Sequence, residues 1–311
     1  MAGIGFRLQK LLAEDSYTSA LQAYAYSAVV AAGPFVLTVT VVCLINWMSF
    51  QALTPSEIFY LQGLVTYCFA FSLVCAGPCL LVVTRYVADE YYRGHRGSFT
   101  AVYCSTVAVN ALLWGPPAAF YFSRLSISPQ AQLNATLLFL ATQGIWLAII
   151  FLSAARDFVR ISRSFAAGAA LSLAGAYGLG SAYGFDGYFA GFVLGQCLTL
   201  WMLSHAILQE FGYREPRDFH WLSYFARYPL LAAIGLLYNL GIWADKFVFW
   251  TSPEGRELDI GFYHCPVYDA PMFFAYLTVV PSLCYFLLRM ETDFFRKYKA
   301  YYDGISAQES L

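Results

Sequence analysis

Eight stretches of the chain contain no Asp, Glu, Lys or Arg, and they limit the possible folds more than any other feature. They cover residues 16–56, 58–84, 97–123, 125–155, 164–185, 187–209, 228–244 and 270–288. A helix rises about 1.5 Å per residue and a bilayer's hydrocarbon core is about 30 Å thick, so a span needs about 20 mostly apolar residues. The shortest stretch is extended by Phe247–Trp250 beyond one Asp-Lys pair. The pattern predicts an all-α, polytopic membrane bundle of about eight transmembrane helices.

The composition excludes other classes of protein. Hydrophobic residues make up 59% of the 311 residues and charged residues 12%, well below the roughly 25% charge of soluble domains. The apolar stretches are continuous rather than alternating, which excludes the strands of a membrane β-barrel. The 18 basic and 19 acidic residues are balanced, so nucleic acid is not an expected partner.

The positions of Lys and Arg predict the orientation, because these residues are retained on the cytoplasmic side of a membrane. With the N-terminus inside, 15 of the 18 basic residues fall on the inner side. The three on or near the outer side are Arg124, Lys246 and Arg256. Both termini are therefore predicted to be cytoplasmic.

The same pattern divides the chain into five predicted segments. Residues 1–15 place Leu8 and Leu11 at helical spacing among charges, which predicts an interfacial N-terminal helix; a plain cytoplasmic extension of the first span is the alternative. The others are a first six-helix transmembrane bundle (16–211), a cytoplasmic linker (212–228), two helices of an incomplete second bundle (229–290) and a cytoplasmic tail (291–311).

Small residues recur at every fourth position in the fifth and sixth spans. Such stripes allow helix backbones to approach closely in lipid, so they predict a tight helical hairpin with a structural role. The packing residues are expected to be Ala166, Ala170, Ala174 and Gly178 in one helix and Gly187, Gly191 and Gly195 in the other.

Prolines occur inside three of the predicted spans. Proline removes a helical hydrogen bond and clashes with the preceding turn, so kinks or breaks are expected at Gly33-Pro34, Gly77-Pro78 and Gly115-Pro116-Pro117. A break at Pro34 has two interpretations, an opening toward a substrate cavity or a kink that only shapes packing.

Polar side chains within spans are candidates for a substrate pathway, because they are expensive in lipid. Each of them can instead bond a neighbouring helix. The candidates in addition to Pro34 are Asn110, Gln143, Tyr238, Asn239, Trp243, Asp245 and Lys246.

The Asp245-Lys246 pair is the sharpest of these candidates. Asp245 lies sixteen residues after Pro229, roughly 24 Å along a helix and thus near the outer face. Adjacent helical residues point about 100° apart, so each side chain is expected to pair elsewhere or to reach the interface. The pair is interpreted either as charge in a gate or cavity, or as an interfacial anchor.

The sequence offers no catalytic constellation. Its paired carboxylates fall in loops rich in Arg and Lys, its cysteines form no metal-like cluster, and it has no phosphate loop of the Walker type. We therefore expect no catalytic residue, metal or cofactor, and no enzymatic activity.

Two long segments resemble one known family. They are MAGIGFRLQKLLAEDSYTSALQAYAYSAVVAAGPF at residues 1–35 and YDAPMFFAYLTVVPSLCYFLLRMETDFFRKYKAYY at residues 268–302. Both are similar to the corresponding parts of the Pel exopolysaccharide transporter, the PelG family. The resemblance implies a bacterial inner-membrane transporter of the polysaccharide and multidrug flippase superfamily, with biofilm exopolysaccharide as substrate.

The resemblance also implies partners and a helix count. Partners would be a cytoplasmic glycosyltransferase, a cyclic-di-GMP-responsive membrane subunit, the polysaccharide and membrane lipids. That superfamily has two six-helix bundles around a central cavity, so a chain that stops after eight helices is expected either to be truncated or to take its partner helices from elsewhere.

Three functions remain open from the sequence. The leading hypothesis is transport of an N-acetylhexosamine-rich, Pel-like exopolysaccharide during its synthesis, along a pathway of aromatic and uncharged polar groups. The second is a flippase for lipid-linked oligosaccharide, which would need a cation in its cavity. The third is a non-transporting scaffold that holds a glycosyltransferase through basic loops.

Overall fold

The computed structural model describes residues 16–306 except Arg96, Arg156 and residues 213–217. The predicted interfacial helix at residues 1–15 lies outside the described residues. The larger helices are α1 (Tyr17–Ala31), α2 (Gly33–Ser49), α3 (Pro55–Tyr92), α4 (Phe99–Phe122), α5 (Pro129–Ala154) and α6 (Phe158–Phe211). They are followed by a 3-10 turn (His220–Leu222), α7 (Ser223–Arg227), α8 (Pro229–Trp250), strands β1 (Arg256–Asp259) and β2 (Phe262–His264), α9 (Pro266–Arg289), a π-helical turn (Met290–Phe294) and α10 (Phe295–Ser306). The described chain is an all-α bundle apart from one antiparallel hairpin.

Local sequence signals explain where several helices begin. Before α3, the Thr54 hydroxyl accepts from the Glu57 backbone N–H, and a Glu57 carboxylate oxygen lies 2.8 Å from the Thr54 backbone nitrogen. The Ser128 hydroxyl accepts from the Ala131 backbone at the start of α5. These side chains satisfy backbone donors that have no partner in the first helical turn.

The prolines act differently from one another. The chain breaks between α1 and α2 at Ala32, and Pro34 lies in the first turn of α2, where a missing N–H costs nothing. In contrast, α3 continues through Pro78 and α4 through Pro116 and Pro117 as single helices. The expectation of a full break therefore applies only to the first site.

The number of membrane-spanning helices depends on how the elements are counted. Five of the described helices are long and apolar enough to cross a membrane, or up to six if the bent pair α1–α2 forms one span. One of the five, α6, has 54 residues and contains two helices that meet at Gly184, whose φ of 57° is left-handed. The helix α4 is outside this set. The described residues thus give five to six candidate spans by length and composition, and the count of about eight stays a prediction.

The chain forms two compact units. One contains residues 37–270, and the other contains residues 1–36 together with 271–311. The unit 37–270 has two clusters of buried side chains, one including Leu64, Phe189 and Phe262 and the other including Val82, Phe99 and Trp221. The predicted boundaries at 211 and 229 remain a prediction, and the compact unit extends across them.

The hairpin within α6 packs through a different register from the predicted one. A Cβ added to Gly195 would overlap Ser172 Oγ and the Gly168 carbonyl, and one added to Gly191 would overlap Gly175 and Ala176. Gly187 likewise lies against the Leu179 carbonyl. The second predicted stripe is therefore at the contact.

The first predicted stripe is not at that contact. Ala166, Ala170, Ala174 and Gly178 are exposed, and nothing lies within 4 Å of a Cβ added to Gly178. The contact uses Gly168 and Ser172, which lie two residues beyond members of the predicted stripe and therefore about 200° around the helix. Counting small residues identified the period but selected the opposite face.

Candidate functional site

The helix α8 contains five of the eight predicted pathway residues, and it packs against α3 within the unit 37–270. It crosses α3 where two glycines meet. A Cβ added to Gly77 would be 2.7 Å from the Gly235 carbonyl oxygen, and one added to Gly235 would overlap the Gly77 carbonyl. One turn further on, the buried Asn239 donates to the Gly235 carbonyl at 2.7 Å. The close approach explains why α3 has glycine, rather than a larger residue, before Pro78.

Aromatic rings continue this interface toward the C-terminal end of α8. The rings of Tyr67 and Trp250 stack with centroids 4.6 Å apart, and those of Phe71 and Phe247 with centroids 5.4 Å apart. Tyr67 and Trp250 are each 4% exposed, so their stack is part of the packed core and not an open sugar-binding platform.

The β1–β2 hairpin covers the same end of the helices. Its Phe262 is fully buried, and a Cβ on Gly63 of α3 would lie 2.6 Å from the tip of that ring. Tyr60 donates to the Leu258 carbonyl at 2.7 Å, and the Tyr263 backbone donates to the Tyr67 hydroxyl at 2.8 Å. The hairpin is thus fixed to α3 by both packing and hydrogen bonds.

A carboxylate also ties the hairpin to the loop between α4 and α5. Asp259 accepts from the backbone N–H of Ser126, and from that of Ile260 at 2.8 Å. These donors, the Ser126 N–H first, hold the pKa of Asp259 below its usual value, because they stabilise the charged form. The hairpin therefore has a second, charge-assisted attachment.

An ion-pair cluster joins the end of α8 to the start of α9. The Lys246 ammonium lies 2.9 Å from Asp269 Oδ1, and His264 Nδ1 lies 3.3 Å from Asp269 Oδ2. The Cys265 backbone N–H donates to the same Oδ2 at 3.3 Å. Both oxygens of the Asp269 carboxylate therefore have partners.

The neighbouring Asp245 takes part through a different residue. Its Oδ2 accepts from the Tyr268 hydroxyl at 2.6 Å, and the Tyr268 ring stacks on Phe249 with centroids 3.8 Å apart. The Lys246 ammonium lies 5.7 Å from the centre of the Tyr268 ring. Adjacent residues of α8 are thus each held by an adjacent residue of α9, as their divergent directions on a helix require.

We define the charged cluster as Asp245, Lys246, His264, Tyr268 and Asp269. Lys246 is 9% exposed and His264 8%, so the cluster is largely withdrawn from water. Within the described residues, Asp245 Oδ1 and His264 Nε2 are buried without a hydrogen-bond partner. Charges buried near a membrane are costly unless paired, which makes this cluster the candidate functional site.

The other predicted pathway residues do not join the charged cluster. Asn110 is 1% exposed and donates to Cys79 Sγ and to the Thr106 carbonyl, while Gln143 is 2% exposed on α5. Tyr238 is 68% exposed, and Trp243 is half-buried on α8. Pro34 belongs to the other compact unit. A role for any of these in a pathway remains a prediction.

Sequence reasoning missed three members of the charged cluster, His264, Tyr268 and Asp269. Asp269 immediately precedes the charge-free stretch 270–288 and therefore lies outside the spans in which polar candidates were sought. A signal was available, because Asp269 borders one apolar stretch and Lys246 borders the apolar stretch before it, and charges at such positions tend to pair.

A second network at the opposite end of α3 was also missed. Tyr86 of α3 donates to Asp218 of the linker, and Tyr224 of α7 donates to Asp89 of α3, both at 3.2 Å. Nearby, the fully buried Trp221 donates to Ser105 of α4 at 2.9 Å. The described part of the predicted cytoplasmic linker is therefore docked onto the bundle.

The site consists of ion pairs and hydrogen bonds between charged and polar side chains. Among the described residues, no group of three or more His, Cys, Asp or Glu side chains is arranged to hold a metal ion. The ion pairs and hydrogen bonds of the cluster connect two helices and a hairpin.

Comparison with known proteins identifies the family. The model of the PelG family, described as "Putative exopolysaccharide Exporter (EPS-E)", matches residues 1–311. No curated protein and no solved structure matches the chain.

Proposed function

Since the chain belongs to the PelG family of exopolysaccharide exporters, we propose that it moves an N-acetylhexosamine-rich polysaccharide across the bacterial inner membrane during polymer synthesis. The observation that carries this proposal is the match of the family model to residues 1–311. An exporter moves its substrate without changing covalent bonds, so no catalytic residue is assigned.

The distribution of buried polar groups supports an uncharged polymer as the substrate. Inside the described helices of the unit 37–270, buried polar residues such as Asn110, Gln143 and Gln196 are neutral. The buried charged residues Glu90 and Lys246 lie within the last turns of their helices, and each is paired. A neutral sugar polymer requires hydrogen bonds rather than fixed charge.

The flippase alternative has less support from the geometry. A lipid-linked pyrophosphate requires an accessible cation, and Lys246 was the candidate. Its ammonium group is instead bound to Asp269, and the residue as a whole is 9% exposed. If cells that carry Lys246→Met accumulated more lipid-linked oligosaccharide than wild-type cells, the result would favour this alternative.

The proposed partners are a cytoplasmic glycosyltransferase and a cyclic-di-GMP-responsive membrane subunit. Exposed arginines near the end of α3 and in α7, Arg85, Arg93 and Arg227, are candidates for contacts with the glycosyltransferase. Arg85 and Arg93 already pair with acids of their own helix, so Arg227→Glu is the cleaner variant. It should reduce co-purification of the enzyme, while Arg124→Glu on the opposite side should not.

The main experiment measures the extracellular polymer in the native host. Deletion of the gene should abolish N-acetylhexosamine in hydrolysed extracellular polymer, and the wild-type gene should restore it. Asp269→Asn should restore less polymer than the control Glu254→Gln at equal amounts of membrane-inserted protein, because only the first change removes a partner of Lys246. Unchanged polymer in the deletion strain would exclude export, and a polymer free of hexosamine would exclude the proposed substrate.

A further inference from the structure

The helix α10 directly follows the last apolar helix of the described chain. Residues Pro266–Phe286 of α9 are long and apolar enough to cross a membrane. The π-helical turn Met290–Phe294 then leads into α10 within a few residues. A helix that begins so soon after a span has to start at the bilayer surface.

One face of this segment is apolar and aromatic. Phe294, Tyr298, Tyr301 and Ile305 follow one another at intervals of four, three and four residues, which places them on one side of a helix. They are 54%, 48%, 49% and 49% exposed, and the rings of Phe294 and Tyr298 stack with centroids 6.1 Å apart. About half of each side chain on this face is therefore open to the surroundings.

The same helix carries an excess of positive charge. Its twelve residues include Arg296, Lys297 and Lys299 against one acid, Asp303. Aromatic and apolar residues on one face, combined with Lys and Arg, are typical of helices that lie in the interface of an anionic membrane.

A shallow groove of about 280 Å³ lies where α9 leads into α10. Its lining alternates apolar and charged side chains: Phe286, Arg289, Met290, Asp293, Phe294 and Lys297. Arg289 is balanced by an ion pair with Asp293, and its Nε donates to the Tyr285 hydroxyl at 3.1 Å. Lys297 is exposed, so the lining of the groove combines apolar side chains with a positive charge that no acid of the lining balances.

We propose that α10 and this groove form a binding surface for anionic phospholipid. The helix lies in the plane of the bilayer surface, with the stripe from Phe294 to Ile305 among the upper acyl chains and Lys297 at a lipid phosphate. The charge excess selects an anionic lipid, and the position directly after α9 brings the surface to the headgroups. The inference goes beyond export, because it assigns a lipid-dependent anchor to the C-terminal side of the chain.

The experiment uses the full-length protein in nanodiscs of phosphatidylcholine, with or without phosphatidylglycerol. Hydrogen exchange of the backbone at residues 295–306 should slow several-fold when phosphatidylglycerol is present, and the difference should shrink as salt is raised. Lys297→Gln should reduce the difference, and Lys297→Arg should retain it. Ile305→Ser should speed exchange in both nanodiscs, unlike Ala300→Ser, which lies off the stripe.

Two results would overturn the proposal. Equal exchange in the neutral and anionic nanodiscs would show that α10 does not recognise lipid charge. Protection that appears only in nanodiscs with two copies of the chain would identify a second copy, rather than lipid, as the occupant of this face.

Discussion

The Lys246 ammonium lies 2.9 Å from the Asp269 carboxylate and joins the last turns of α8 to the first turn of α9. The side chains are 11% and 20% exposed, so the pair is shielded from water. The β1–β2 hairpin connects the two helices, and its His264 binds the second oxygen of the same carboxylate. One acid thus holds three consecutive elements together.

Substituting Lys246 by an uncharged residue should destabilise the protein more than substituting it by another cation. Lys246→Met leaves Asp269 partly buried without its strongest partner, and we expect a loss of about 3 kcal/mol. Lys246→Arg keeps the charge and should lose less than half as much. Thermal unfolding in detergent measures both. Equal unfolding temperatures for wild type and Lys246→Met would show that the pair contributes nothing to stability.

The crossing of α3 and α8 should tolerate no added side chain. Gly77→Ala places a Cβ 2.7 Å from the Gly235 carbonyl oxygen, and the two helices must separate. We expect a loss of about 1–3 kcal/mol, typical of overpacking. Gly241→Ala in α8 is the matched control, because nothing lies within 4 Å of its added Cβ. Similar unfolding temperatures for the two variants would contradict this crossing.

The two registers of the α6 hairpin can be separated by one pair of variants. Gly195→Ala should destabilise the protein, because the new methyl group overlaps Ser172 and the Gly168 carbonyl. Gly178→Ala has open space and should be neutral or slightly stabilising, since alanine is the better helix former. Unfolding curves of the purified variants measure the difference. If Gly178→Ala were the less stable variant, the first predicted stripe, and not Gly168 and Ser172, would lie at the contact.

Asp259 should make the attachment of the hairpin sensitive to acid. Its pKa is lowered in the folded protein, so its contribution to stability is complete above its unfolded pKa of about 3.9 and disappears as the pH falls through the lower folded value. Asp259→Asn should therefore be less stable than wild type near neutral pH and equally stable in strong acid. Unfolding temperatures across this pH range test it. Glu254→Gln, in the same segment, should show no such convergence.

The sequence was most informative about the helices and least informative about their faces. A stretch such as 58–84 predicted part of α3, since a chain in lipid must satisfy its backbone hydrogen bonds internally. In the candidate site, Asp245 and Lys246 were identified because charge next to an apolar stretch is unusual. Their partners were not, because Tyr268 and Asp269 follow a hairpin whose path no local pattern specifies.

By itself, the sequence determined that this chain is a bundle of apolar helices and a member of an exporter family, because the length of its charge-free stretches and its similarity are properties of the linear chain. The tertiary structure decided which glycines touch, which face of α6 is buried and which acid holds Lys246. Those features depend on how each helix rotates against its neighbours. A shift of two residues turns a helical face by about 200°, and only the packing of the neighbouring helices selects between the faces.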